Sequence, residues 1–246
     1  MKIVKSMVVA LSVVSSSLTF AFDGDLEKGI FELNRGEFKA AIKEFQPLVE
    51  EGYAPAQYQM ALIYLNGYGV IKNSQQAFEL IEKSANQNYP DALFSLANMY
   101  TDGDLVKKDP KMAFKLMAKA ADKNLPSAQF NLGVMYANGE GTPKDYRRAA
   151  NWYEKAARQN YALAQFNLAL MYFEGKGVKK DIEKSYIWNT IAAKSGYAPA
   201  VQSRDMDERN LGNRQIEEYR AKAETLYAQI QEQVDLKTKQ ILSESF

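Results

Sequence analysis

Neither cysteine nor histidine occurs anywhere in the 246 residues. The first absence excludes disulfides and thiolate nucleophiles. The second removes the commonest general base, and together they remove the usual zinc ligands and the Ser–His and Cys–His pairs. An enzyme built from this chain would depend on carboxylates, lysine, serine or tyrosine, and no metal or cofactor is implied by the residues present. An excess of charge is missing too: 31 basic residues face 30 acidic ones, so nothing draws the chain to nucleic acid. Also lacking is an apolar run of the roughly 20 residues that a membrane-spanning helix needs. The stretch from Met7 to Ala21 falls short and is interrupted by Ser12, Ser15, Ser16 and Ser17.

That stretch follows Lys2 and Lys5 and ends in Thr19-Phe20-Ala21, the three-part layout of a secretory signal peptide. Residues 1–21 are therefore expected to be removed by cleavage after Ala21. Taking Lys2 and Lys5 from the 31 basic residues leaves 29 against 30 acidic. With no cysteine to accept a lipid, the product is expected to be soluble, periplasmic or secreted, and not stably inserted in a membrane.

What the chain does have is repetition. The stretches NGYGVIKN at 66, DGDLVKKD at 102, NGEGTPKD at 138 and EGKGVKKD at 174 stand 36 residues apart. A glycine pair that cradled a phosphate would occur once, after a strand; four equivalent pairs read as the turns of a repeat array. Around them Ala56, Ala92, Ala128 and Ala164 are followed at offsets of four and eight by Met60, Leu96, Leu132 and Leu168, then Tyr64, Tyr100, Tyr136 and Tyr172. These spacings place an Ala–Leu–Tyr stripe on one face of a first helix.

Asn73, Asp109, Asp145 and Asp181 precede a second helical pattern as N-caps, and Pro110 stands at a first helical position. The second helices are predicted to bury Ala77, Leu80, Ile81 and Ala85, then Ala113, Leu116, Met117 and Ala121, then Ala149, Trp152, Tyr153 and Ala157. Ser185, Trp188 and Ala193 take these places in the fourth unit. Gly52, Asn88, Asn124, Asn160 and Gly196 suit left-handed helix ends. One such hairpin cannot cover its own apolar face, so stability must come from stacking. Fold class is all-α.

The segment SAQFNLGVMYANGEGTPKDYRRAANWYEKAARQNY resembles a Sel1-like repeat (SLR), a relative of the tetratricopeptide repeat with a longer turn between its helices. The likeness extends over four 36-residue units at 53–196, with one departure, Leu105 in place of a turn glycine. It implies a right-handed superhelical solenoid of stacked antiparallel hairpins. Residues 22–52, with the single turn glycine Gly36, resemble a tetratricopeptide-type opening hairpin, and 197–246 read as a degenerate fifth unit with a capping helix. Ile216, Tyr219, Ala223, Leu226 and Ile230 supply the apolar stripe of that last helix.

By the same resemblance, first helices line a concave groove that binds extended peptides or partner helices. The positions leaning toward it are Tyr58, Phe94, Phe130 and Phe166, with Asn131 and Asn167 one step on and Asn98 one turn on. Aromatic faces offer contact area at low rotamer cost, and amides pair with both groups of a peptide bond. The competing reading is that the rings pack between adjacent first helices. Charged pairs such as Glu50 with Glu51 and Asp205 with Asp207 fall where caps and exposed turns are expected.

The function implied is a non-catalytic scaffold of the bacterial envelope that captures a protein or peptide partner, in signalling, secretion or motility assembly, or host contact. Two other readings stand beside it. Cysteine-rich relatives are implied to bind or hydrolyse β-lactams, although this chain has no cysteine and no S-x-x-K motif in a suitable setting. Self-association through the array ends would make a structural envelope protein.

Overall fold

A computed structural model describes residues 24–244; the expected signal peptide lies outside them. Among the described residues the chain forms twelve α-helices and no strand. An opening hairpin of α1 (Leu26–Asn34) and α2 (Phe38–Glu50) is followed by four more hairpins. These pair α3 (Ala54–Asn66) with α4 (Ser74–Asn86) and α5 (Pro90–Asp102) with α6 (Pro110–Asp122). They continue with α7 (Pro126–Asn138) and α8 (Tyr146–Ala157), then α9 (Ala162–Glu174) and α10 (Ile182–Lys194). From α1 to α10 each helix packs on the next along the chain, which makes the molecule an all-α repeat solenoid.

The repeated residues set the helix ends. Asn73, Asp109, Asp145 and Asp181 each accept a hydrogen bond from a first-turn amide of their helix. The backbone N–H of the same residue donates to the carbonyl of Tyr64, Tyr100, Tyr136 or Tyr172 at 2.8–3.0 Å, which closes the hairpin. Asn88, Asn124 and Asn160 adopt positive φ at the ends of second helices, as expected of left-handed caps. Leu105 also adopts φ 61°, so the turn with the missing glycine keeps the conformation of its siblings and places a branched side chain in the left-handed region.

The stripes form one continuous core: Ala56, Met60, Ala92, Leu96, Ala128 and Leu132 are buried, as are Ile81, Met117 and Tyr153 from the second helices. Leu116, Trp152 and Ala193 are only half-buried, because they sit on the flank of the helix rather than its inner line. Where unit three carries Tyr153 and the others carry smaller residues, the facing helix gives way: Gly133 stands in the place held by Ala61, Ala97 and Ala169.

Buried amides tie consecutive hairpins together. Gln129 donates to the Ala121 carbonyl and to Asn124 Oδ1, and its own Oε1 accepts from Gln159 Nε2 at 2.7 Å. Gln57 accepts from Gln87 in the same way at 2.9 Å. Gln165 repeats the first half of this arrangement, donating to Ala157, but the partner position is Ser195, whose side chain is too short, and Gln165 Oε1 is left without a hydrogen bond. A buried acceptor without a donor costs about 1–3 kcal/mol. Ser195→Gln is therefore expected to raise stability by about 1 kcal/mol, seen as a higher urea midpoint; an unchanged or lower midpoint counts against the pairing rule.

Beyond the fourth unit the pattern changes. Helix α11 (Ala198–Glu208) packs on α10 as a first helix should. Helix α12 (Asn213–Glu244) does not close a hairpin with α11 but lies on α10. Ala223 and Ile230 are buried there, with Tyr219 and Leu226 partly covered and Ile216 at the margin. The junction is held by Glu208, which accepts from Tyr186 Oη at 2.6 Å and from Arg220 at 2.7 Å. Lys222 reaches Glu183 at 2.6 Å.

Candidate functional site

The first helices α3, α5, α7 and α9 bring Tyr58, Phe94, Phe130 and Phe166 into one row, each half-buried. The spacing of 36 residues puts each at the same height on its helix, and Tyr58, Phe130 and Phe166 reach the ring at the start of the next first helix. Tyr58 lies 5.6 Å from the Tyr89 ring, and Phe166 meets Tyr197 edge-on at 5.4 Å. Phe130 sits between Tyr161 at 5.4 Å and Tyr153 at 5.6 Å. The rings therefore seal the joints between units while leaving part of their surface open.

Polar groups follow the same row. Tyr58 Oη and Ser95 Oγ share a hydrogen bond at 3.1 Å, and burial holds the Tyr58 phenol above its ordinary range. Tyr89 is pushed up to about 12, first by burial and then by the charge of Asp91. Asn131 and Asn167 each turn one amide N–H back to the Ser127 and Leu163 carbonyls at 2.8 Å, which leaves the oxygen and the second N–H of each amide. Asn98 is half-buried and makes no hydrogen bond among the described residues, which leaves both halves of its amide available.

At the C-terminal end of this row the surface opens into a cavity of about 150 Å³ between α9, α10 and α11. Its rim is mostly apolar: Phe166, the last rung of the row, with Leu170, Phe173 and Met206, the last 62 % exposed, and Ser203 and Asn210 completing it. Its floor is polar: Ser185, Asn189 and Asp207, exposed by 1 %, 4 % and 7 %. Asn189 donates to Asp207 Oδ2 at 3.3 Å, while Asn189 Oδ1 and Ser185 Oγ have no hydrogen-bond partner. Burial pushes the Asp207 carboxyl above the usual carboxylate range, and the Asn189 hydrogen bond draws it part of the way back.

Sequence reasoning did not find this cavity. Ser185 was expected as a core position, and Asp207 as an exposed carboxylate; Asp207 is instead buried on the inner line of α11, because α11 is a full helix that packs on α10. The signal that could have found it is the replacement of small or apolar residues by Ser185 and Asn189 in the fourth unit, where earlier units carry Ala149 and Tyr153. Among the described residues no group of three or more carboxylates is placed to hold a metal ion, and no helix is long and apolar enough to cross a membrane.

Stacked two-helix units, capped by the same residues at every turn and presenting one aromatic row, define a helical-repeat solenoid of the kind that works as an interaction scaffold. A family model described as the Sel1 repeat matches residues 54–89, 90–125, 126–161 and 162–197. The chain belongs to the Sel1 repeat family, whose members are generally protein–protein interaction scaffolds. It is similar to a solved Sel1 repeat protein from Oxalobacter formigenes, at 29 % identity and a TM-score of 0.67, over 72 % of each chain. It is also similar to c5321, a protective antigen of uropathogenic Escherichia coli with an SLR fold, at 25 % identity and a TM-score of 0.53. That likeness covers 83 % of this chain and 53 % of the antigen. No curated protein matches the chain.

Proposed function

We propose that this protein is a non-catalytic scaffold, exported to the periplasm or beyond, that captures a partner protein or peptide along the face of its first helices. The observation that carries this reading is the row Tyr58, Phe94, Phe130 and Phe166: four equivalent rings, each half open, with the unpaired amide of Asn98 among them. An extended peptide laid across them would meet an aromatic surface at every unit and amide groups able to pair with its backbone. The basic start, apolar stretch and Thr19-Phe20-Ala21 support export, and a protective antigen among the similar proteins accords with it.

The test is capture in the native envelope with a photo-crosslinking residue at position 98, where no side-chain hydrogen bond is lost, and at Lys144, an exposed turn, as control. One protein trapped from position 98 and not from 144 is the expected result. Trapping of nothing, or of the same species from both positions, would overturn the reading.

A further inference from the structure

We propose that the cavity between α9, α10 and α11 receives the side chain of a partner's lysine, with its ammonium on Asp207, Asn189 and Ser185 and its methylenes against Phe166, Phe173 and Met206. This rests on the reading of the first-helix face as the partner-binding surface, since Phe166 belongs both to that row and to the rim.

The floor specifies the chemistry. Asn189 Oδ1 and Ser185 Oγ are buried oxygens with no hydrogen bond, and Asp207 receives only the one from Asn189. Asn189 Oδ1 and the Asp207 carboxylate can only accept, and Ser185 Oγ can accept as well as donate, so the floor lacks a donor, and one that brings positive charge suits it. A buried carboxylate is stable only when paired, yet among the described residues no lysine or arginine lies at ion-pair distance from Asp207. Arg204 and Arg220, on or beside the same helix, are engaged by Asp205 and Glu208 at 2.7 Å.

A compact ammonium offers three donors for three acceptors. A guanidinium brings five in a flat fork, more than this floor can match. An anion would be repelled by Asp207, and a purely apolar side chain would leave all three polar groups stranded.

The walls specify the stem. Lysine carries its charge on an aliphatic chain that prefers apolar cover, and the rim supplies two aromatic rings and two flexible apolar side chains. Rings near an ammonium add a favourable cation–π contribution. The volume agrees: a cavity of about 150 Å³ holds a benzene molecule, six heavy atoms, and the butylammonium part of lysine has five. Beyond the rim the stem would join a backbone lying along the aromatic row.

The experiment uses the full chain with methyl-¹³C methionine, whose Met206 signal is assigned by its loss in Met206→Leu. Three probes are titrated: n-butylammonium, its neutral counterpart 1-butanol, and putrescine. Butylammonium is expected to shift the Met206 methyl saturably and to bind at least about tenfold more tightly than 1-butanol, the ratio of a charge-assisted to a neutral hydrogen bond. Asp207→Asn is expected to abolish that preference.

Equal binding of the two probes to the unaltered protein would overturn the proposal, and that comparison needs no variant to fold. Retention of the preference in a folded Asp207→Asn protein would overturn it as well. Putrescine binding more than about tenfold tighter than butylammonium would make the ligand a free diamine and sink the lysine assignment. Because the probes contain no partner, failure here leaves the crosslinking result at position 98 standing, and failure there leaves the cavity's chemistry standing.

Discussion

Gly141→Ala is expected to destabilise the array by about 3 kcal/mol or more, a large effect for adding one methyl group to a turn. Two costs combine. Gly141 has φ 68°, and a left-handed conformation costs a residue with a Cβ about 1–2 kcal/mol. In addition, a Cβ built there would overlap the carbonyl oxygen of Pro110, at the start of the preceding second helix, which is backbone and cannot swing aside. Gly177 stands in the same relation to the Tyr146 carbonyl. Gly196 separates the two costs: its φ is 76° and nothing lies within 4 Å, so Gly196→Ala is expected to cost only about 1 kcal/mol. Leu105 is the natural form of that control, since it pays the left-handed cost and still keeps the turn. Urea melts of Gly141→Ala and Gly196→Ala would decide; equal losses would mean that the close approach to α6 contributes nothing.

The second large effect lies inside the core. Gly133→Ala should gain about 1 kcal/mol of helix propensity yet lose more by overpacking, because the new methyl would stand 2.6 Å from Tyr153 Cε1. Tyr153 has little room to move: its ring is buried, its phenol is pushed up to about 12 by that burial, and Phe130 packs beside it. Overpacking of this kind costs about 1–3 kcal/mol, so a net loss of about 1–2 kcal/mol is expected. Unit two already shows the alternative solution, Ala97 facing Met117 in the equivalent places. In a Tyr153→Met background the same Gly133→Ala change should become stabilising by about 1 kcal/mol. A double-mutant cycle with a coupling of about 2 kcal/mol is the expected result; strict additivity would show that the two positions do not constrain one another.

These two glycines also mark how far the residues could be read without the structure. Caps and stripes were legible because their causes are local: an aspartate three residues from the amide it accepts, an alanine one turn from a leucine, an asparagine at a helix end. The array followed from their recurrence. What could not be read were contacts that join units through residues outside the shared pattern. Gln57, Gln129 and Gln165 look like surface residues and are buried, because the carbonyls and amides they satisfy come from the ends of other helices. Asp207 looked exposed because the tyrosine and glycine places that fix the register of earlier units are lost in α11.

The aromatic row was legible as a helical face, whereas its double character was not. Whether Phe130 is covered depends on Tyr161 and Tyr153, and each of them comes from a different helix. Asn98 and Asn131 occupy neighbouring kinds of position in the sequence, but only Asn131 turns back to its own helix. Such choices are made by side-chain geometry within a turn, below what residue type and spacing encode.

The placement of α12 gives the array a direction. Along most of this chain every contact is made with a near neighbour in sequence, so units could come apart from either end in small steps. Helix α12 breaks that symmetry: it lies on α10, and Lys237 reaches Gln159, 78 residues back along the chain, at 2.8 Å. Contacts distant in sequence form after the local ones they depend on, so α12 is expected to dock late in folding and its release to precede unravelling from that side. Among the described residues the hairpin of α1 and α2 makes no contact so distant in sequence, so amides of α1 and α2 are expected to exchange before those of α10 and α12.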